Sequence, residues 1–132
     1  MKLSTRARYG LRLIFNIGIA TDKISLPTLI KQTDLSEKYA EQLLGMLRKA
    51  GIVESVRGAG GGYYLSRPSS EITIKEILVA LDDSFEITDC VSGKCQDNYC
   101  PNKIIFKRLY DGIDGLLSST TLADMINDYR CV

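Results

Sequence analysis

The chain has 132 residues, 45% apolar and 25% charged. That is enough for one cored domain, or one domain with an appendage, and it argues against disorder. No apolar run is long enough to span a bilayer, so a membrane protein is set aside. The net charge of +1 hides an asymmetry. Residues 1–67 carry eleven Lys/Arg against five Asp/Glu, and residues 68–132 carry six against eleven. A basic front half beside an acidic back half suggests that the front faces a polyanion. Lys2, Arg6, Arg8 and Arg12 ahead of LIFNIGIA loosely imitate a secretory leader. The apolar run is short, broken by Asn16 and helical in pattern, so a cytoplasmic protein is expected.

Ala7, Leu11, Ile14, Phe15 and Gly18 follow helical spacing, which predicts a first helix from about Thr5 to Ala20, capped by Ser4 or Thr5. Ile24 to Leu26 reads as a very short strand, and Pro27 suits the first turn of a short second helix. Thr33-Asp34-Leu35 is a tight connection. Ser36 then caps a third helix that runs to about Ala50, with Gly51 just beyond. Its expected buried face is Tyr39, Leu43, Met46/Leu47 and Ala50, and its outer face is Glu37, Lys38, Glu41, Gln42 and Gly45. Two helices joined by a short turn, the second polar on its outer face, form a helix-turn-helix pattern. IVESVR and YYLS read as strands around the glycine tip Gly58 to Gly62, with Arg57 at its edge. A hairpin wing there lets an arginine enter a narrow minor groove. A phosphate-binding P-loop is excluded, because no Lys-Ser/Thr follows and the next element is a strand.

Pro68 to Ser70 mark a joint, and Thr73-Ile-Lys-Glu76 fits a capping box opening a helix from Ile74 to about Leu81. Pro101 to about Ser118 reads as a long helix, with Ile105, Phe106, Leu109, Ile113, Leu116 and Leu117 on one side. Such a stripe suits packing across a two-fold axis. A last helix follows from Leu122 to Asp128, capped by Thr121. Between these lie Cys90, Cys95 and Cys100 in a polar loop, with Cys131 apart. Cytosolic thiols stay reduced, so this clustering favours metal or redox chemistry over a disulfide. From the residues alone, a plain polar loop, a zinc site and an iron–sulfur site all stand. No histidine, paired catalytic carboxylates or nucleotide fingerprint points to an enzyme. A small electron carrier would need a docking or substrate site, and none is visible.

The opening KLSTRARYGLR, the segment LSEKYAEQLLGMLRKAGIVESVRGAGGGYYL and the late cysteine loop together resemble the IscR-type (Rrf-type) bacterial transcription regulators, over nearly the whole chain. The fold expected is mainly α with a small β-hairpin wing. A winged helix-turn-helix would occupy 1–81, a cysteine-containing sensor loop 82–100, and a dimerisation helix with a C-terminal helix 101–132. The resemblance implies a homodimer on palindromic double-stranded DNA, most simply a repressor. It implies DNA contacts from Thr5, Arg6, Arg8 and Tyr9, from Ser36, Lys38, Tyr39, Glu41 and Gln42, and from Arg57, Gly58, Gly60, Gly61 and Gly62. Gln42 can pair with adenine and Glu41 can accept from cytosine. It also implies an iron–sulfur cluster on Cys90, Cys95 and Cys100, 2Fe–2S in preference to 4Fe–4S, which an isolated sample can lack. The fourth ligand does not carry over. Some relatives place a histidine where this chain has Lys103, and others use an aspartate where it has Arg8. Cys131, Asp89, Asp97, Asn102, a partner residue and a small molecule remain candidates. A cluster-free regulator that senses thiol chemistry or cysteine metabolism is the alternative.

Overall fold

The computed structural model describes residues 3–82, 96 and 99–132. Helix α1 (Thr5–Ile19) starts because the Ser4 hydroxyl accepts from the Ala7 N–H at 3.1 Å. Helix α2 (Leu26–Thr33) is capped by Ser25 and carries Pro27 in its first turn. Asp34, at φ 56°, turns the chain into α3 (Glu37–Lys49). The Ser36 hydroxyl caps α3 by accepting from the Tyr39 N–H at 3.2 Å. Glu37 in its first turn and Arg48 and Lys49 in its last complement the helix dipole.

Strands β1 (Val53–Val56) and β2 (Gly62–Leu65) form an antiparallel hairpin with Val53 opposite Leu65 and Val56 opposite Gly62. A 3-10 turn (Ser69–Glu71) leads to α4 (Ile74–Ala80), whose capping box joins Thr73 and Glu76 as expected. The long helix α5 spans Pro101–Ser119. Helix α6 (Leu122–Arg130) opens on a second capping box, between Thr121 and Asp124.

Several expectations shift. The stretch expected as a strand at Ile24 to Leu26 reduces to one antiparallel bridge, Ile24 to Tyr63, because Ser25 already caps α2 and draws Leu26 into it. The buried face of α1 is Ala7, Gly10, Leu13, Ile14 and Ile17, while Leu11 and Phe15 lie at its margin. The buried face of α3 is Ala40, Leu43, Leu44 and Leu47. Tyr39 and Met46 are half-buried and Ala50 is exposed. In both helices the stripe is rotated by about one position, because neighbours cover the helix from two sides.

Helix α1 is the central element and touches α2, α3, α4, α6 and β2. Two glycines permit this. A Cβ on Gly10 would collide with the Leu81 side chain, and one on Gly18 would press Ile126 and Leu122. Leu122 and Ile126 are buried in the same core as Leu13 and Leu44. Burial of each such side chain contributes about 1.5–3 kcal/mol.

Helix α5 behaves differently. Among its described residues none is buried. Ile104 is 76% and Leu116 65% exposed, and Ile105 and Leu109 are exposed as well. Phe106 and Ile113 are half-covered, and Leu117 packs against the core. No described helix is long and apolar enough to cross a membrane.

Candidate nucleic-acid interface and thiol loop

The outer face of α3 follows helical spacing. Lys38, Glu41, Gln42, Gly45, Arg48 and Lys49 are all exposed. Gly45, Arg48 and Lys49 also border an open polar hollow whose other wall is Val53, Glu54 and Ser55 of β1. The helix face and the hairpin therefore flank one groove. Arg48 and Lys49 extend the polar face beyond the residues expected from the sequence, and the same three-and-four spacing signals them.

The N-terminus of α1 comes close to the start of α3. The Tyr9 and Tyr39 rings meet edge to face, with centroids 6.2 Å apart and planes at 84°. Thr5 and Arg8 are exposed beside them. Arg6 is half-buried, and its guanidinium donates to the Asp82 carbonyl at 3.4 Å, where the chain leaves α4. Ser36 uses its hydroxyl as the helix cap.

In the hairpin, Arg57 is exposed at the edge of the tip. Gly58 and Gly60 have φ of +96° and +78°, a region that L side chains adopt only under strain. The other two glycines serve packing. A Cβ on Gly61 would meet the Val56 carbonyl, and one on Gly62 would lie 2.6 Å from the Ile24 carbonyl oxygen. Gly62 is buried inside β2 rather than at the tip, so its missing side chain is used within the protein. Across the strands the Tyr64 hydroxyl donates to Glu54 Oε2 at 2.7 Å. That hydrogen bond, with the carboxylate charge, holds the Tyr64 hydroxyl protonated above the ordinary tyrosine range.

Of the three loop thiols, Cys90 and Cys95 lie outside the described residues, as do Asp89 and Asp97. Cys100 is half-exposed at the N-cap of α5. A shallow hollow there is lined by Tyr99, Cys100, Pro101, Lys103, Ile104 and Lys107. Lys103 and Lys107 place positive charge beside Cys100, where an anionic thiolate-bound group would sit. Of the three loop cysteines Cys100 alone is described, and its surroundings suit an anionic group. Among the described residues no group of His, Cys, Asp and Glu is gathered to hold a metal ion. Cys131 is exposed at the end of α6, and Asn102 is exposed in the first turn of α5.

Comparison with known proteins agrees with this layout. The family pattern of Rrf2, described as iron-dependent transcriptional regulators, matches residues 3–128. The HTH-type transcriptional regulator IscR of Photorhabdus laumondii is 34% identical over 132 aligned positions, covering 97% of this chain and 80% of that protein. Among solved structures, CymR, the global cysteine regulator of B. subtilis, superposes with a TM-score of 0.82 at 33% identity, covering 96% of this chain and 97% of that one. IscR of T. potens superposes with a TM-score of 0.80 at 34% identity, covering 98% and 88%. These relatives are transcription regulators rather than enzymes. A helix-turn-helix with a hairpin wing, matched along nearly its whole length, places this chain in the Rrf2 family of DNA-binding transcriptional regulators.

Proposed function

We propose that the chain is a cytoplasmic homodimeric repressor that binds a palindromic operator and is modulated by an iron–sulfur cluster on Cys90, Cys95 and Cys100. The exposed polar face of α3, sharing a groove with the arginine-bearing hairpin, is the observation that carries the DNA reading. In this reading Lys38, Glu41 and Gln42 face the major groove, and Arg57 with Gly58, Gly60 and Gly61 reaches the minor groove. Thr5, Arg8 and Ser36 flank the backbone. Tyr9 and Tyr39 orient the helix through their ring contact. Arg57→Ala is expected to weaken operator binding by about 1–3 kcal/mol without changing thermal stability. Unaltered affinity in a salt titration would remove the wing from the interface.

The apolar stripe of α5 supports the dimer. Ile104, Ile105, Leu109 and Leu116 leave a large apolar face uncovered within one chain, and a second copy would bury it against itself. The position of Cys100 at the head of the same helix supports coupling between the loop and that seam. When bound, the cluster would supply sensitivity to iron supply and to oxidants. Cys100 would hold it at the α5 N-terminus, where Lys103 and Lys107 would offset the negative charge of the group. Anaerobic purification tests this. A brown protein with matching iron and sulfide, turned colourless by Ala at all three loop cysteines and altered in operator affinity, is the expected result.

Two observations favour a second reading. The likeness to the cysteine regulator CymR covers 97% of that chain, and this chain has no histidine to complete a cluster site. A colourless protein whose DNA binding responds to oxidant or to cysteine-related metabolites would select it.

A further inference from the structure

Helix α5 buries no residue of its own, yet its direction decides where a second copy would stand. We propose that the Lys75–Asp114 ion pair is a positioning element, holding α5 at the angle that makes operator binding selective for half-site spacing. This rests on the reading of the chain as a DNA-binding dimer with α5 as its seam.

Among the described residues, two sets of polar contacts near the end of α5 tie it to the segment around α4. At its C-terminus the Ile74 N–H donates to the Thr120 carbonyl at 2.8 Å, and Thr73 and Thr121 form an antiparallel bridge. This is a pivot. Six residues earlier, about 9 Å along the helix axis, Asp114 Oδ1 lies 2.6 Å from Lys75 Nζ. The apolar contact of Leu117 lies between them, and hydrophobic burial is non-directional. Beside the half-covered Phe106, Tyr110 and Ile113, the ion pair adds a directional polar restraint to the pivot.

Beyond Asp114 the helix continues for about 20 Å to Pro101, past Leu109, Ile105 and Ile104. The geometry is that of a lever. A slip at the ion pair grows about threefold by the head of the helix, where Cys100 sits. Dimeric helix-turn-helix proteins need their reading helices about 34–36 Å apart, or a multiple of it. A restraint that fixes the lever's angle therefore bears on that distance.

The residue next to Lys75 reaches the base of the wing. The residue after Lys75 is Glu76, whose carboxylate takes Arg67 at 3.0 Å. Arg67 follows directly on the exit from β2 and also donates to the Glu71 carbonyl. The first turn of α4 thus fastens the long helix with one residue and the base of the hairpin with the next.

Surface ion pairs commonly contribute little. Lys107–Asp111 is of that kind: both partners belong to α5 and both are mostly exposed. The Lys75 and Asp114 side chains are 39% and 29% exposed, but Asp114 Oδ1 itself has almost no solvent contact, and its partner comes from another helix.

The test uses duplexes enriched by the wild-type chain from a randomised pool, remade with one or two base pairs inserted between the half-sites. Wild type should prefer the original spacing. Asp114→Asn and Lys75→Met should lose about five- to tenfold of that preference, while remaining folded dimers by circular dichroism and sedimentation. The exchanged pair, Lys75→Asp with Asp114→Lys, should regain most of it, and Asp111→Asn should match wild type. Single variants that keep the full preference, or an exchange that restores none of it, would overturn the proposal. A wild-type chain that sediments as a monomer, or enriches no two-half-site duplex, would instead defeat the underlying dimer reading, and the proposal with it.

Discussion

Helices α1 and α5 are both long and carry apolar stripes, and they reach opposite environments. α1 buries Ala7, Gly10, Leu13, Ile14 and Ile17 under four helices and a strand. α5 leaves Ile104 and Leu116 mostly in water. Part of the difference lies in shape. α1 has Gly10 and Gly18 where Leu81, Leu122 and Ile126 must approach, so neighbours close over it. The glycines of α5, Gly112 and Gly115, have nothing within 4 Å of where a Cβ would stand. An apolar stripe announces that a face will be covered; it does not say by what.

The sharpest way to break the comparison is to truncate a core residue. Leu44→Ala in α3, where Leu44 is fully buried, should cost about 2–5 kcal/mol. The loss should be the same at every protein concentration in urea unfolding. Leu109→Glu on α5 should act otherwise. It should weaken association by about 1.5–3 kcal/mol, shifting sedimentation towards monomer while the helical spectrum persists. A loss that, like that of Leu44→Ala, is the same at every protein concentration and leaves association unchanged would mean that the α5 stripe belongs to the fold of a single chain.

A third change probes the junction between the two regions. Glu76 accepts from the Thr73 N–H and pairs with Arg67, and these hold its carboxyl below the ordinary carboxylate range. A group with a lowered folded pKa stabilises above its unfolded value, about 4.3 for glutamate. That contribution disappears as the pH falls through the folded value. Glu76→Gln should therefore cost about 0.5–2 kcal/mol near neutral pH, and the gap to wild type should close in acid. A gap that persists in acid would assign the effect to packing.

The smallest effect is expected at Gly45. It sits inside α3 with open space around it. Gly45→Ala should stabilise the fold by about 0.5–1 kcal/mol, with a raised melting temperature. A fall in operator affinity alongside that gain would locate the DNA close to the helix surface.

Local features were legible in the sequence to within a residue or two. The caps at Ser36, Thr73 and Thr121 and the hairpin around the wing glycines all depend on residues a few positions apart. The polar face of α3 was legible for the same reason. The Ile24–Tyr63 bridge, the packing task of Gly62 and the seating of α6 on α1 were not, because each depends on a partner distant in the chain. Lys75 and Asp114 each read as ordinary surface charges until the fold places them 2.6 Å apart. The joint placement of the three loop thiols lies outside the described residues.

The order of helices, the hairpin and the resemblance to a regulator family were therefore set by the sequence itself, through caps, periodicity and turn residues acting over short range. Only the tertiary structure decided which stripes meet, which glycines give room and which charges pair. Those outcomes depend on close packing among distant segments, and no local pattern encodes where two such segments will touch.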